Sequence, residues 1–186
     1  MKYLCTAALA VAAACAASAA SAQTTTPGQA WTAYGNLGYT YLNVNLPSIG
    51  GMPAASTNIS AVRVLGGVRE TYFGFELEGN FGVSTGSVDN VSLKLNSEAA
   101  IYAVGFWPVT PKADLFARVG YGHINFVASG GGGSVNTSDG GVPVGVGGQY
   151  MVSSHDGVRV DYTHFFDTQE SNVSFDEVSV SYVRRF

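Results

Sequence analysis

Along most of the chain, hydrophobic and polar residues alternate with a period of two, the period of a β-strand whose faces meet different surroundings. In YFGFELEGNFGVS, Phe73, Phe75, Leu77, Phe81 and Val83 share one side with Gly79, while Gly74, Glu76, Glu78, Asn80 and Gly82 share the other. The same division sets Leu37, Tyr39 and Tyr41 against Thr32, Asn36, Gly38 and Thr40, and Val62, Val64 and Val68 against Arg63 and Arg69. Leu115, Ala117, Val119 and Tyr121 oppose Arg118, Gly120 and Gly122, and Val158, Val160 and Tyr162 oppose Arg159, Asp161 and Thr163. At the tail, Val178, Val180, Tyr182 and Phe186 oppose Glu177, Ser179, Ser181 and Arg185. Helical periodicity is scarce. The pattern predicts eight strands over 31–44, 58–69, 72–84, 92–107, 115–127, 142–152, 158–167 and 176–186.

The connections are of two alternating kinds. Long polar or glycine-rich segments (NLPSIGGMPAAST, the STGSVDNV region, ASGGGGSVNTSDGG, TQESNVSF) alternate with short turns around RETY, VTPKAD and SSHDG. Four long loops at one end and three tight turns at the other is the asymmetry of an outer-membrane barrel, with both termini on the periplasmic side.

Residues 1–22 stand apart from this pattern. Lys2 precedes a small apolar run from Tyr3 to Ala17, and Ala20-Ser21-Ala22 forms an A-x-A cleavage site before Gln23. This is expected to be a secretory signal peptide cut between Ala22 and Gln23, leaving one domain over 23–186. An alanine-dominated run without a charged stop-transfer flank argues against a retained helix, and the alanines before Cys15 argue against a lipid-modified cysteine. Both cysteines, Cys5 and Cys15, leave with the leader. An exported chain without disulfides draws its stability from a large core or a surrounding bilayer. The formal charge is −4, and no basic patch is present to neutralise phosphates, which disfavours nucleic acid as a partner. After the leader no run of about 20 apolar residues occurs, so a membrane would be crossed by strands.

Alternation alone does not say which face looks inward. A lipocalin-like barrel or soluble sandwich turns the apolar face in; an outer-membrane barrel turns it toward lipid. Aromatic residues near strand ends (Trp31, Tyr41, Tyr72, Trp107, Phe186), glycine on the polar face, and a patterned tail favour lipid. The polar face then places Arg63, Arg118 and Arg159 with Glu76, Glu78, Asp161 and Glu177 in a narrow interior. Because a desolvated charge without a partner is costly, these residues are expected to pair into a network filling the lumen. The GGGGS stretch at 130–134 lacks a following helix or Gly-Lys-Ser/Thr and reads as a loop. The sequons at Asn58, Asn90, Asn136 and Asn172 read as loop composition.

The segments AYGNLGYTYL, VRETYFGFELEGNFG, IYAVGFWPVTPKADLFARVGYG and SVSYVRRF together resemble the small Gram-negative outer-membrane β-barrels, such as the OmpA-type transmembrane domain and the opacity-type adhesins, over nearly all of residues 23–186. The resemblance implies an eight-stranded antiparallel up-and-down barrel in the outer membrane. It further implies that Val180, Tyr182 and Phe186 form a terminal signal read by the barrel-assembly machinery, after handling by periplasmic chaperones. Lipid and lipopolysaccharide would surround the barrel. Arg184 departs from the pattern by lying on the apolar face, where it is expected to snorkel to headgroups. The larger OmpA-type proteins continue into a peptidoglycan-binding domain, and direct wall anchoring is not expected of this chain.

Some barrels of this size remodel lipid A, a chemistry that needs a nucleophile beside an oriented histidine. The histidines are His123, His155 and His164, and no triad is apparent: His164 and Asp161 lie three apart on a strand and face opposite sides. No spacing of Cys, His or carboxylates indicates a metal, and no cofactor is expected. The expected function is structural, envelope-supporting or adhesive, carried by loops that meet a host or surface ligand, with the protein a monomer. A narrow or gated channel is the second reading and a lipid A-modifying enzyme the third.

Overall fold

A computed structural model describes residues 31–46, 55–88, 91–130, 133–167 and 174–186. The expected cleavage site at Ala22 and Gln23 lies outside these residues. The strands are β1 (Thr32–Leu46), β2 (Ala55–Arg69), β3 (Phe73–Gly82), β4 (Thr85–Val88), β5 (Val91–Thr110), β6 (Ala113–Gly130), β7 (Gly133–Met151), β8 (Asp156–Asp167) and β9 (Ser174–Arg185). All pairings are antiparallel. β1 pairs with both β2 and β9, and β3 pairs with β5, so the sheet closes into a ring. Closure pairs the strands on both sides at the level of the apolar belt, which is what a sheet in hydrocarbon requires; beyond it, residues 133–140 of β7 pair with β6 alone among the described residues.

The nine segments fill eight positions. β3 and β4 follow one another along β5, with Phe73↔Gly105 in one register and Thr85↔Lys94 in the other. Between them the backbone breaks its ladder, and the amides of Val83 and Ser84 both donate to the carbonyl of Ser60, at 2.8 and 3.3 Å. The expected strand 72–84 is this interrupted wall.

Two expected loops are largely strand. The STGSVDNV region holds β4 and the start of β5, and much of ASGGGGSVNTSDGG belongs to the β6–β7 hairpin, paired from Gly130↔Gly133 through Gly141. Residues 133–138 are exposed in every side chain, so alternation, which reads one-sided burial, is lost there while the backbone ladder continues. With 15 to 20 residues, β1, β2, β5, β6 and β7 exceed the 9–11 or so that a tilted strand needs to cross hydrocarbon.

The apolar row faces outward. Leu37, Phe75, Ile101, Leu115, Val146 and Val180 come from six different strands and are each more than half exposed. Around the short-turn end Trp31 packs edge-on to Phe73 at 5.3 Å and stacks on Phe75 at 6.4 Å, while Trp107 is 74% exposed. Such a belt in water would cost far more than any isolated surface leucine. Toward the other end the polarity reverses: Asn43 and Asn58 face outward, joined by a 2.8 Å hydrogen bond, while Leu42, Val44, Ile59 and Ala61 turn inward and are buried. The wall is built for lipid below this level and for water above it.

Glycine makes room inside. A Cβ on Gly120 would stand 2.1 Å from the carbonyl of Ile101 and 2.8 Å from the ring of Tyr102, and one on Gly67 would stand 2.6 Å from the ring of Tyr34. A narrow eight-position barrel holds its large inward side chains only where neighbouring positions lack one.

Candidate functional site

The lumen is packed in layers, because inward positions at the same height on successive strands meet across a narrow bore. At the short-turn end, Asp114 Oδ2 accepts from Arg69 Nη1 (2.8 Å), Gln149 Nε2 (2.7 Å) and Arg185 Nη2 (3.0 Å). The Arg69 guanidinium lies 3.9 Å from the centre of the Phe106 ring and also donates to the carbonyls of Glu70 and Thr71, tying β2 to its turn.

Above this layer Arg63 of β2, Arg118 of β6 and Arg159 of β8 converge with Glu76 and Glu78 of β3 and Asp161 of β8. Arg63 Nη1 donates to both oxygens of Asp161 at 2.8 Å, and its Nη2 donates to Glu78 Oε2 at 2.5 Å. Arg118 donates to Glu78, to Asp161 at 3.1 Å and to the Thr163 hydroxyl at 2.6 Å. Arg159 holds Glu76 through two nitrogens, at 2.5 and 3.1 Å, and reaches Asp161 through Nε at 3.1 Å. The Tyr34 hydroxyl donates to Glu76 at 2.6 Å. All six charged side chains are essentially sealed from solvent. Such a cluster persists only with most of its donors and acceptors matched, because an unpaired ion in this setting costs several kcal/mol.

Glu177 was expected among these partners. The structure turns it instead toward Glu98 and Glu78, with no arginine paired to it among the described residues. The reason is its height: on β9 it pairs across from Leu42 and Thr163, a step beyond Ser179, and there the inward row passes from charged to apolar. Asn80 and Arg69, read on the polar face, are also buried in the interior, and Glu98, Tyr102 and Asp114 join them without having been singled out in the sequence. Asn80 Nδ2 donates to Glu98 Oε2 at 3.0 Å and to Glu78 Oε1 at 3.2 Å. The Thr40 and Ser179 hydroxyls share a 2.8 Å hydrogen bond. Beyond them an apolar cap closes the bore, with Leu42, Val44, Ile59, Leu95, Ile124, Phe126, Phe165 and Phe175 buried and the last two rings stacked at 4.4 Å.

Glu78, Glu98 and Glu177 each present a carboxylate oxygen within 4.8 Å of the others. Spacing along the chain gave no sign of this grouping, because the residues come from β3, β5 and β9.

The tail forms the end of β9, with Val180 and Tyr182 outward and about half exposed and the amide of Phe186 donating to the carbonyl of Ala33 at 2.9 Å. Arg184 pairs with Asp156 at 3.0 Å, and the Tyr182 hydroxyl donates to the same carboxylate. Of the histidines, His155 lies in a short turn, and His123 Nε2 meets the Ser138 hydroxyl at 2.5 Å on the exposed β6–β7 hairpin. His164 Nδ1 lies 2.7 Å from Asp176, whose carboxylate also accepts from Tyr162. Asp161 points into the lumen on the other face of the strand.

A closed ring with an apolar exterior and a charged interior has clear relatives. Residues 6–186 match the family model described as the outer membrane protein beta-barrel domain. The chain belongs to this family. As an outer-membrane β-barrel protein it shares its fold with Ail, the attachment invasion locus protein of Yersinia pestis, solved in complex with the heparin analogue sucrose octasulfate (13% identity, TM-score 0.60, 84% of this chain and 99% of that one). The Neisserial surface protein A aligns at 14% identity and a TM-score of 0.63, over 86% of this chain and 99% of that one. OprG from Pseudomonas aeruginosa aligns at 9% identity and 0.61, over 85% and 97%. No curated protein sequence matches the chain. The apolar belt of this barrel is accordingly its face to outer-membrane lipid.

Proposed function

We propose that this outer-membrane barrel serves as a closed scaffold whose work, structural or adhesive, is done at the rim opposite the short turns. The observation that carries this reading is the interior: three guanidiniums bridge the walls to Glu76, Glu78 and Asp161, and an apolar cap lies above them. Two successive barriers leave no continuous aqueous path, which disfavours the channel reading. Ser138 meets His123 on the exposed β6–β7 hairpin rather than in an enclosed pocket, so the lipid-modifying reading has less support. In this reading the short turns face the periplasm, and lipopolysaccharide surrounds the outer part of the belt. Val180, Tyr182 and Phe186 present the terminal strand to the assembly machinery after chaperone delivery, and the folded barrel is a monomer.

The outer strand ends carry Asp139 and Asp176 against Lys94 alone among the described residues of that half. A sulfated polyanion of the kind bound to Ail is therefore a poor match for this rim, and the reading favours a neutral or cationic surface ligand. Two measurements test it together. The purified protein in a planar bilayer should carry no steady current, and cells displaying it should adhere more than cells displaying a variant with shortened outer connections. Stable conductance steps with unchanged adhesion would reject the proposal.

A further inference from the structure

We propose that Glu78, Glu98 and Glu177, with the hydroxyl of Tyr102, form a cation site inside the barrel fitted to a single calcium ion. The carboxylate oxygens of the three residues lie within 4.8 Å of one another, the span across one calcium ion whose ligands stand at about 2.4 Å. The donor set is entirely oxygen and mostly anionic, the preference of a hard divalent cation.

Two independent features point the same way. The first is charge. Glu76, Glu78, Glu98, Asp161 and Glu177 face Arg63, Arg118 and Arg159, an excess of two carboxylates in a sealed interior. The rim pair Arg69–Asp114 is balanced separately, and Arg185 beside it is a quarter exposed to water. Glu76, Glu78 and Asp161 absorb the arginines, so the surplus resides on Glu98 and Glu177. One divalent ion neutralises it. The second is unmet bonding. Both oxygens of Glu177, Oε1 of Glu98 and the Tyr102 hydroxyl are buried with no ordinary hydrogen-bond partner among the described residues, the Glu98 and Glu177 carboxyl groups meeting only each other there. Tyr102 is 1% exposed and lies within the electrostatic reach of all three carboxylates, beneath the Arg118 guanidinium at 4.2 Å from its ring. Buried polar atoms without partners are rare, and several among neighbouring side chains point to a ligand.

Arg118 and Arg63 already occupy Glu78 Oε2, so Glu98 and Glu177 are the principal ligands and Glu78 the outer one. The apolar cap of Phe165 and Phe175 lies above, so the ion is captured as the barrel folds and exchanges slowly afterwards.

The test is to refold the mature chain in detergent with terbium or calcium, against a chelator control, and then remove free metal. Terbium emission excited through tyrosine, its displacement when calcium is present during folding, and its loss in E98Q and E177Q are expected. Calcium should also raise the unfolding midpoint of the wild type, with magnesium and equal ionic strength of sodium giving a smaller shift. Terbium uptake unchanged in both variants would overturn the site. So would no uptake by the wild type together with an infrared carbonyl stretch of a protonated carboxyl group that disappears in E177Q, since protons would then neutralise the pair. Should a glutamine variant fail to fold, the wild type decides alone: a calcium-to-chain ratio near unity after gel filtration supports the site, and a ratio near zero rejects it.

Discussion

Arg63 and Asp161 stand on β2 and β8, with β1 and β9 between them in the ring, yet one guanidinium nitrogen donates to both carboxylate oxygens at 2.8 Å. The contact is a strut across the bore. Without Arg63, Asp161 keeps Arg118 and Arg159, and without Asp161, Arg63 keeps Glu78, but either change unbalances a sealed charge network, so Arg63→Ala or Asp161→Ala should lower stability by about 3–5 kcal/mol. The double replacement Arg63→Met with Asp161→Leu should cost less than the sum of the two alanine changes. Urea unfolding in lipid vesicles, followed by tryptophan fluorescence, measures this; full additivity would deny the coupling.

Gly120 makes its argument through space. An added methyl at this position collides with the Ile101 carbonyl and the Tyr102 ring. Gly120→Ala should destabilise the barrel by about 1–3 kcal/mol as β5 and β6 shift apart, whereas Gly66→Ala, whose Cβ would meet nothing within 4 Å, should be nearly silent. Matched unfolding curves of the two variants provide the check.

Phe165 and Phe175 test whether closure is redundant. Phe165→Ala removes one ring of the stacked pair and should cost about 3–5 kcal/mol through the cavity left behind. It should nevertheless leave planar-bilayer current at baseline, because the arginine layer beneath remains closed. Steps of conductance in this single variant would mean that the cap alone seals the bore.

Phe186 is held by one backbone hydrogen bond at the end of the closing strand, while its ring is 67% exposed. Deleting it should reduce assembly into the outer membrane more than shortening the hairpin across 133–138, which stands in water on both faces. Equal yields of heat-modifiable protein from the two variants would count against a role for the tail in assembly.

Much of the architecture is legible in period-two alternation, and β3 is the clearest case: Phe73, Phe75 and Leu77 mark lipid while Glu76 and Glu78 mark the lumen. Legibility ends where the surroundings of the two faces stop differing or change places. Residues 133–138 have water on both sides, so a paired strand reads as a loop. Leu42 and Ile59 face inward under the same rule that sends Leu37 and Val64 outward, because the wall has left the bilayer and its solvent has changed. Glu98 escapes notice for a local reason: a bulge between Leu95 and Ser97 shifts the phase of β5 just before it. The arginines are visible as inward charges, but which carboxylate each one meets depends on the closure of the ring, and Glu177 lands beside Glu98 for that reason.

The most direct test of the account concerns what touches the apolar belt. The mature chain, unfolded in urea, should acquire β-structure and a heat-modifiable gel shift when diluted into detergent micelles or lipid vesicles, and should aggregate when diluted into buffer alone. A stable, monodisperse, folded protein in plain buffer would contradict it, since the exposed rows of Leu37, Phe75, Ile101 and Val180 would then have found a partner other than lipid.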